Sequence, residues 1–325
     1  VPGIISHNNG STYSYMMVGD LEQIEQWCLR VPVRKGEETR QALIREAVLD
    51  RTLRPRREGG AFILPVLNWR EAAGRCLFDP LPERLAFPRH ELIGGIAVMQ
   101  DHDVAGAEKI LASRPSLHTV LYATSEVEGE YRTRTFEVLA GTPTTRTDCI
   151  EYGHRYTIDL SAAYFSTRLS TERQRIASLV GHGEVVLDMF AGVGPYAIAV
   201  ADCAELVVAA DINPEAISLM LENIEQNHAR TVLPVLADVR NLPEVIPWQF
   251  DRIIMNLPVS GAEFLPLAFD LVRSNGIIHF YALVSQEGEH RQGISHLGGE
   301  VVSERYVRSY SPSQWHAVYD IIKKE

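Results

Sequence analysis

Long apolar runs are missing from this 325-residue chain, and no stretch reaches the ~18 uninterrupted apolar residues that a membrane helix requires. Cysteine is scarce: Cys28, Cys76, Cys149 and Cys203 lie far apart, with no CxxC pair and no His/Cys cluster at ligand spacing. Neither a disulfide framework nor a metal site is expected. The N-terminus lacks the charged-then-apolar pattern of a secretory signal, which points to the cytoplasm. Acidic tails, polybasic tails, internal repeats and low-complexity tracts are absent as well. Lysine supplies only four of the 31 cations. Arginine's planar fork suits bidentate phosphate contacts, although a GC-rich genome produces the same bias.

The remaining composition, 46% hydrophobic and 22% charged, is that of a globular protein long enough for two or three domains. A net charge of −11 argues against nucleic acid as a partner, but the average hides a local excess. Between Arg30 and Arg57 nine cations (including Arg34, Lys35, Arg54 and Arg56) face four acids. Such a segment fits phosphate contacts, or a solvated helix face paired with its own glutamates.

Pattern divides the chain into five parts. Residues 1–20 read as a disordered leader, 21–67 as a small α/β unit, and the Pro- and Arg-rich 68–90 as a linker. Residues 91–180 read as an α+β module, with Leu92–Met99 as one strand-like run. From 181 to 325 strands alternate with helices: Val185–Phe190, Leu206–Ile212, Val232–Val239, Arg252–Leu257 and Ile277–Leu283 are apolar runs, and Val301–Ser309 with Trp315–Ile322 forms a closing hairpin. Near-continuous apolar strands between helices indicate a parallel sheet covered on both faces. A doubly wound, Rossmann-like α/β sheet ending in an antiparallel hairpin is the architecture of class I methyltransferases more than of dehydrogenases.

The first of these strands runs into Ala191-Gly192-Val193-Gly194-Pro195-Tyr196-Ala197. Glycines permit a sharp turn and close backbone approach to a ligand at a helix N-terminus. As spelled, the turn fits the dinucleotide fingerprint of an NAD-dependent oxidoreductase, or a glycine turn that binds nothing. Asp188 favours a third reading, because a carboxylate there attracts the ammonium of S-adenosylmethionine and repels a pyrophosphate. Asp211 is placed for ribose hydroxyls and Asp238 for an adenine amino group. After the fourth strand, Asn256-Leu257-Pro258 is a variant of the Asn-Pro-Pro-aromatic motif of enzymes that methylate nitrogen in bases or amides.

With these motifs the chain resembles the archaeal and eukaryotic tRNA (guanine-N1)-methyltransferases, which modify the guanosine 3′ of the anticodon. The resemblance rests on Tyr164–Arg173, Asp188–Pro195, Asp211–Pro214, Asp238–Arg240, Asn256–Pro258, Gly129–Arg134 and Ala140-Gly141, and extends over Cys28–Pro65. It implies S-adenosylmethionine as cofactor and tRNA as partner, touched near the anticodon and, through the N-terminal unit, at its outer corner; a monomer is expected. It implies Glu172 as general base, Arg132 beside guanine O6, Asn256 at the base edge, and Tyr164 and Phe165 as walls. Arg173 would meet the cofactor carboxylate. Gly192, Gly194, Ile212, Val239 and Pro258 would shape its site, and Arg134 and Arg168 would join the tRNA contacts. The wybutosine-pathway aminocarboxypropyltransferases, which share fold and cofactor, are the alternative within the superfamily. Spacing alone also allows Thr171-Glu172-Arg173-Gln174 to be a capping box, with Glu172 serving only the helix end.

Overall fold

The computed structural model describes residues 23–68, 73–81 and 87–324; the leader expected at 1–20 lies outside them. The chain forms two compact units that divide between Ala86 and Phe87.

The first unit contains strands β1 (Ile24–Pro32), β2 (Arg56–Glu58), β3 (Ala61–Val66) and β4 (Ala73–Phe78), with helix α1 (Gly36–Arg45) between β1 and β2. The sheet order is β2-β3-β1-β4, and every pairing is antiparallel. Glu37 and Glu38 in the first turn of α1 and Arg45 in its last complement the helix dipole. Leu43 packs with Val48, Leu49, Leu64 and Val66. Two expectations are corrected here. Residues 73–78 belong to the sheet, not to a linker, because β4 completes the open edge of β1. Cys28 and Cys76, 48 residues apart, form a disulfide: β1–β4 pairing sets Gln26 opposite Cys76 and Cys28 opposite Gly74, so the two cysteines are diagonal neighbours.

The second unit opens with β5 (His90–Ile93), β6 (Ile96–Met99), α2 (Val104–Ser113), β7 (Thr119–Ala123) and β8 (Phe136–Gly141), paired in that strand order. The run Leu92–Met99 is two strands, β5 and β6, turned by Gly94 at φ +54°. A hairpin of β9 (Arg146–Glu151) and β10 (His154–Asp159) leads to α3 (Ser170–Leu179).

Next come β11 (Val185–Asp188), α4 (Pro195–Val200), β12 (Leu206–Asp211), α5 (Pro214–Gln226), β13 (Val232–Leu236), α6 (Leu242–Val245), β14 (Phe250–Met255), α7 (Leu265–Leu271) and β15 (Val272–Val284), then α8 (Arg291–His296), β16 (Gly299–Ser311) and β17 (Gln314–Lys323). The sheet runs β13-β12-β11-β14-β15-β17-β16, parallel through β15 and antiparallel thereafter. In a dinucleotide fold a sixth parallel strand follows the fifth. Antiparallel β17 occupies that place, which removes the fold basis of the oxidoreductase alternative.

Alternate residues bury on opposite faces of this sheet. Val186, Ile254, Tyr281 and Val318 lie on one, Leu187, Ile253, Phe280 and Tyr319 on the other. Tyr156 and Ile158 of β10 and Ile176 of α3 join the first cluster. The expected division at residue 180 is therefore not a structural one, since both sides of it share a core.

Gly94 tests the β5–β6 turn. A Cβ there would stand 2.1 Å from the Asp148 carbonyl oxygen, on a left-handed backbone. Gly94→Ala is expected to destabilise the protein by ~2 kcal/mol or more, read as a lower urea midpoint at unchanged slope.

Candidate active site

A cavity of about 1170 Å³ opens at the carboxyl ends of β11, β12 and β14, where open α/β sheets place their chemistry. The loop between β7 and β8 and the segment Tyr164–Leu169 supply the facing wall. Gly192 and Gly194 both hold positive φ, +56° and +84°. Gly194 is the N-cap of α4 and does not line the cavity; a Cβ on it would lie 2.7 Å from Met220 Cγ. Gly192 does line it, and its N–H donates to Asp211 Oδ2 at 2.7 Å, while the Asn213 N–H donates to Oδ1 at 2.9 Å. Asp211 is thus held rigidly, and burial raises its carboxyl above the ordinary range against these two donors.

Asp188 is fully buried, and neither carboxylate oxygen has a well-formed hydrogen bond; only the Phe190 and Ala197 backbone N–H groups approach it, weakly. Desolvation pushes its carboxyl up to about 7, the Asp211 charge adds to this, and the backbone N–H dipoles of Phe190 and Ala197 oppose it. It stands one residue behind the cavity-lining Met189. Asn256 Oδ1 is likewise buried and unpartnered, on a residue that lines the cavity. Buried polar groups are normally paired, so these orphans mark a place where a ligand completes the pairing. An ammonium for Asp188 and a ribose diol for Asp211 suit S-adenosylmethionine, and the acceptor set fits that cofactor.

Ile212, Val239, Pro258, Phe165, Tyr164, Arg132, Arg134 and Arg168 all line the cavity. Arg132 takes a left-handed φ of +53° in the turn from Gly129, and its guanidinium lies 5.8 Å from the Tyr164 ring centre. Arg168 pairs with Glu91 at 3.0 Å. Arg34, Lys35, Arg54 and Arg56 are exposed on the first unit, with Arg56 bonded to Glu58 at 3.3 Å.

Besides Gly194, three residues depart from the expected arrangement. Asp238 lines the cavity but shares its carboxylate with Arg240 at 2.9 Å, which lowers its acid range. Arg173 also lines it, yet its guanidinium is committed to Glu151 at 2.6 and 2.8 Å and to the Ser166 carbonyl, over the Phe165 ring. Glu172 is buried one layer behind the lining. Its carboxylate accepts from Arg175 at 2.7–3.0 Å and from the Tyr281 hydroxyl at 2.8 Å. The capping-box reading is not what forms, because α3 begins at Ser170 with Leu169 as N-cap and no side-chain cap.

Sequence reasoning missed the group behind Glu172. Arg175 also donates to Asp320 at 2.8 and 3.1 Å. Asp320 accepts from His279 Nδ1 at 2.6 Å, and Arg252 donates to His279 Nε2 at 2.7 Å and to Glu184 at 2.6 Å. Burial raises the Asp320 acid, but His279 and Arg175 outweigh it and hold the carboxyl well below its usual range. Also missed were His316, Arg308 and Tyr196, all of which line the cavity. One signal was available: His316, Val318 and Asp320 alternate along β17, which places two polar residues on an inward face.

Residues 147–298 match the TRM5/TYW2 methyltransferase domain, and residues 28–73 the tRNA methyltransferase 5 N-terminal domain. The chain is 36% identical over 326 aligned residues to tRNA (guanine(37)-N(1))-methyltransferase Trm5b of Pyrococcus abyssi, covering 90% of this chain and 97% of that one. The crystal structure of Trm5b from that organism is similar at a TM-score of 0.71 and 34% identity, over 92% and 100% of the two chains. The complex structure of aTrm5 and tRNALeu is similar at 0.69 and 30%, over 91% and 99%. A tRNA(Phe) (4-demethylwyosine(37)-C(7)) aminocarboxypropyltransferase of Methanocaldococcus jannaschii is 29% identical over 245 residues, 71% of this chain and 96% of that one.

The orphaned Asp188 carboxyl makes stability depend on pH. Its acid sits near 7 in the fold against an ordinary 3.8, so the folded state holds the proton more tightly. Stability is therefore lost as pH rises from about 4 through about 7. Asp188→Asn is expected to melt above the wild type at pH 8 and to converge with it near pH 4, by calorimetry without ligand.

Proposed function

The chain belongs to the tRNA (guanine(37)-N(1))-methyltransferase family, Trm5, and from that premise we propose that it transfers the methyl group of S-adenosylmethionine to N1 of guanosine 37 in tRNA. The observation that carries this reading is the orphaned acceptor set, Asp188 and Asn256, flanking the Gly192 turn in a chain similar to these enzymes over nearly its whole length. The likeness to the aminocarboxypropyltransferase is shorter, which favours methyl transfer.

Bound S-adenosylmethionine supplies an electrophilic methyl. Asp188 meets its ammonium, Asp211 its ribose hydroxyls, and Ile212, Val239 and Pro258 shape the adenine site, with Asp238 shared between that ring and Arg240. Arg173 acts through Glu151 by fixing the wall formed by Phe165. On the base side, Asn256 orients the guanine edge, Tyr164 walls the ring and Arg132 faces O6.

Guanine N1 carries a proton at neutral pH. As the N1–H bond breaks, its electron pair remains on N1 and forms the bond to the methyl carbon, the methyl–sulfur bond breaks with its pair left on the departing thioether sulfur, and the proton passes to Glu172. The surrounding charges suit that role. When Glu172 becomes neutral, Arg175 keeps Asp320 as its counterion, so no buried guanidinium is left unpaired. The Tyr281 hydroxyl holds one oxygen in place throughout. Cations of the first unit (Arg34, Lys35, Arg54 and Arg56) meet phosphates of the tRNA corner, and Arg134 and Arg168 meet the anticodon arm. Work on tRNA of this kind fits a cytoplasmic location.

Mass spectrometry of nucleosides from tRNA incubated with protein and S-adenosylmethionine is expected to show N1-methylguanosine; an aminocarboxypropyl product would transfer the assignment to the other enzyme class. Glu172→Gln is expected to lower the single-turnover rate by ~10²–10⁴-fold with cofactor and tRNA affinities little changed. Near-normal single-turnover rates would remove Glu172 as the base. Replacing Arg54 and Arg56 together by alanine is expected to reduce the slope of log affinity against log salt by about one per lost phosphate contact.

A further inference from the structure

His316 stands on β17 opposite Arg308 of β16 and Leu283 of β15. It is 1% exposed, it lines the cavity, and both ring nitrogens are buried without a hydrogen-bond partner. A buried histidine is normally satisfied at one nitrogen at least. Arg308 beside it also lines the cavity and leaves Nε buried and unpartnered. The Tyr281 ring lies 5.5 Å away, centre to centre, and the Tyr281 hydroxyl donates to Glu172. This orphaned pair is linked through Tyr281 to the proposed proton acceptor, and it faces the cavity from which a substrate can supply its partner.

The chemistry of that partner follows from the donors. Burial pushes the His316 imidazole down to about 4, and the guanidinium charges of Arg308 and Arg132 act in the same direction. The ring is neutral near pH 7 and presents one N–H donor. Together with Arg308 Nε–H and the Arg132 guanidinium, it demands an oxygen acceptor that gains negative charge. Guanine O6 and a backbone phosphate both qualify. Bringing a full phosphate charge against a side chain that is 1% exposed costs more desolvation than bringing the neutral edge of a base, which favours O6. We propose, on the basis of the methyltransferase reading above, that His316 donates a ring N–H to O6 of the target guanine and is a specificity-determining residue. The bond strengthens as the N1 proton departs and charge moves onto O6. Adenine presents an amino donor at the same position, which would face the His316 N–H and the two guanidinium groups without an acceptor among them.

The experiment couples the residue to the atom. Full-length wild type, His316→Ala and His316→Gln are compared in single turnovers on tRNA carrying guanosine or 6-thioguanosine at position 37, since sulfur accepts hydrogen bonds poorly. His316→Ala is expected to lose ~10²-fold on guanosine, with unchanged cofactor affinity. His316→Gln, which retains an N–H, is expected to recover part of that loss. Sulfur is expected to cost the wild type more than it costs His316→Ala. Losses that simply multiply would overturn the proposal, as would a loss confined to salt-dependent tRNA affinity, the mark of a phosphate contact. Should the variants fail to fold, the ring ¹⁵N–¹H resonance of His316 in the wild type is expected to shift more on binding the guanosine tRNA than the 6-thioguanosine one, and equal shifts would overturn the contact. Wild type that forms no N1-methylguanosine from the natural tRNA would instead refute the underlying function.

Discussion

Arg175 lies between two buried carboxylates, Glu172 on its own helix and Asp320 on β17, and the geometry of the base side depends on that shared guanidinium. It joins α3 to the sheet through Asp320, beside the apolar contact made by Ile176. The string continues through His279 and Arg252 to Glu184, alternating charge or dipole at each step. Arg252 can only donate, so His279 Nε2 must accept and Nδ1 must carry the proton toward Asp320. Each member is thus fixed by its neighbours, and removing one would leave a buried charge uncompensated.

α3 is held from its other side as well. Arg173 reaches the β9–β10 hairpin through Glu151, while Glu172, one residue earlier, faces the sheet through Arg175 and Tyr281. The Arg173–Glu151 and Arg175–Asp320 ion pairs tie the helix to two different elements and leave it little freedom to turn about its axis. The segment that precedes it, Tyr164–Leu169, consequently presents a fixed wall to the cavity. Preorganisation of this kind lowers the reorganisation needed when charge develops in a reaction.

Against this well-satisfied background the exceptions are concentrated. Among the described residues, seven side chains keep a buried polar atom without a close partner, and five of them (Arg134, Tyr196, Asn256, Arg308 and His316) line the same cavity. Asp188 sits directly behind it. An unmet hydrogen bond costs ~1–3 kcal/mol when buried, so this grouping is an expense that a ligand with matching donors and acceptors would relieve.

The doubly wound sheet was legible from the residues because its signals are local: apolar strands alternating with helices, a glycine turn after β11, and a Ser-Pro turn within the closing hairpin. Asp188, Asp211 and Asn256 could be placed for the same reason, each at or next to the end of a strand that could be read. Local signals failed where pairing is distant or where one turn residue decides. Gly94 divides an apolar run into two strands, β4 hides in a Pro- and Arg-rich stretch, and Cys28 meets Cys76 only through the β1–β4 register. The partners of the site residues lie further off still: Glu151 is 22 residues from Arg173, Tyr281 is 109 from Glu172, and Asp320 is 145 from Arg175. Periodicity determines which face a side chain occupies, and so the sequence alone decided the layers and the cavity's edge. Which charge meets which is set by strand order and register across the sheet, and that only the tertiary structure decided.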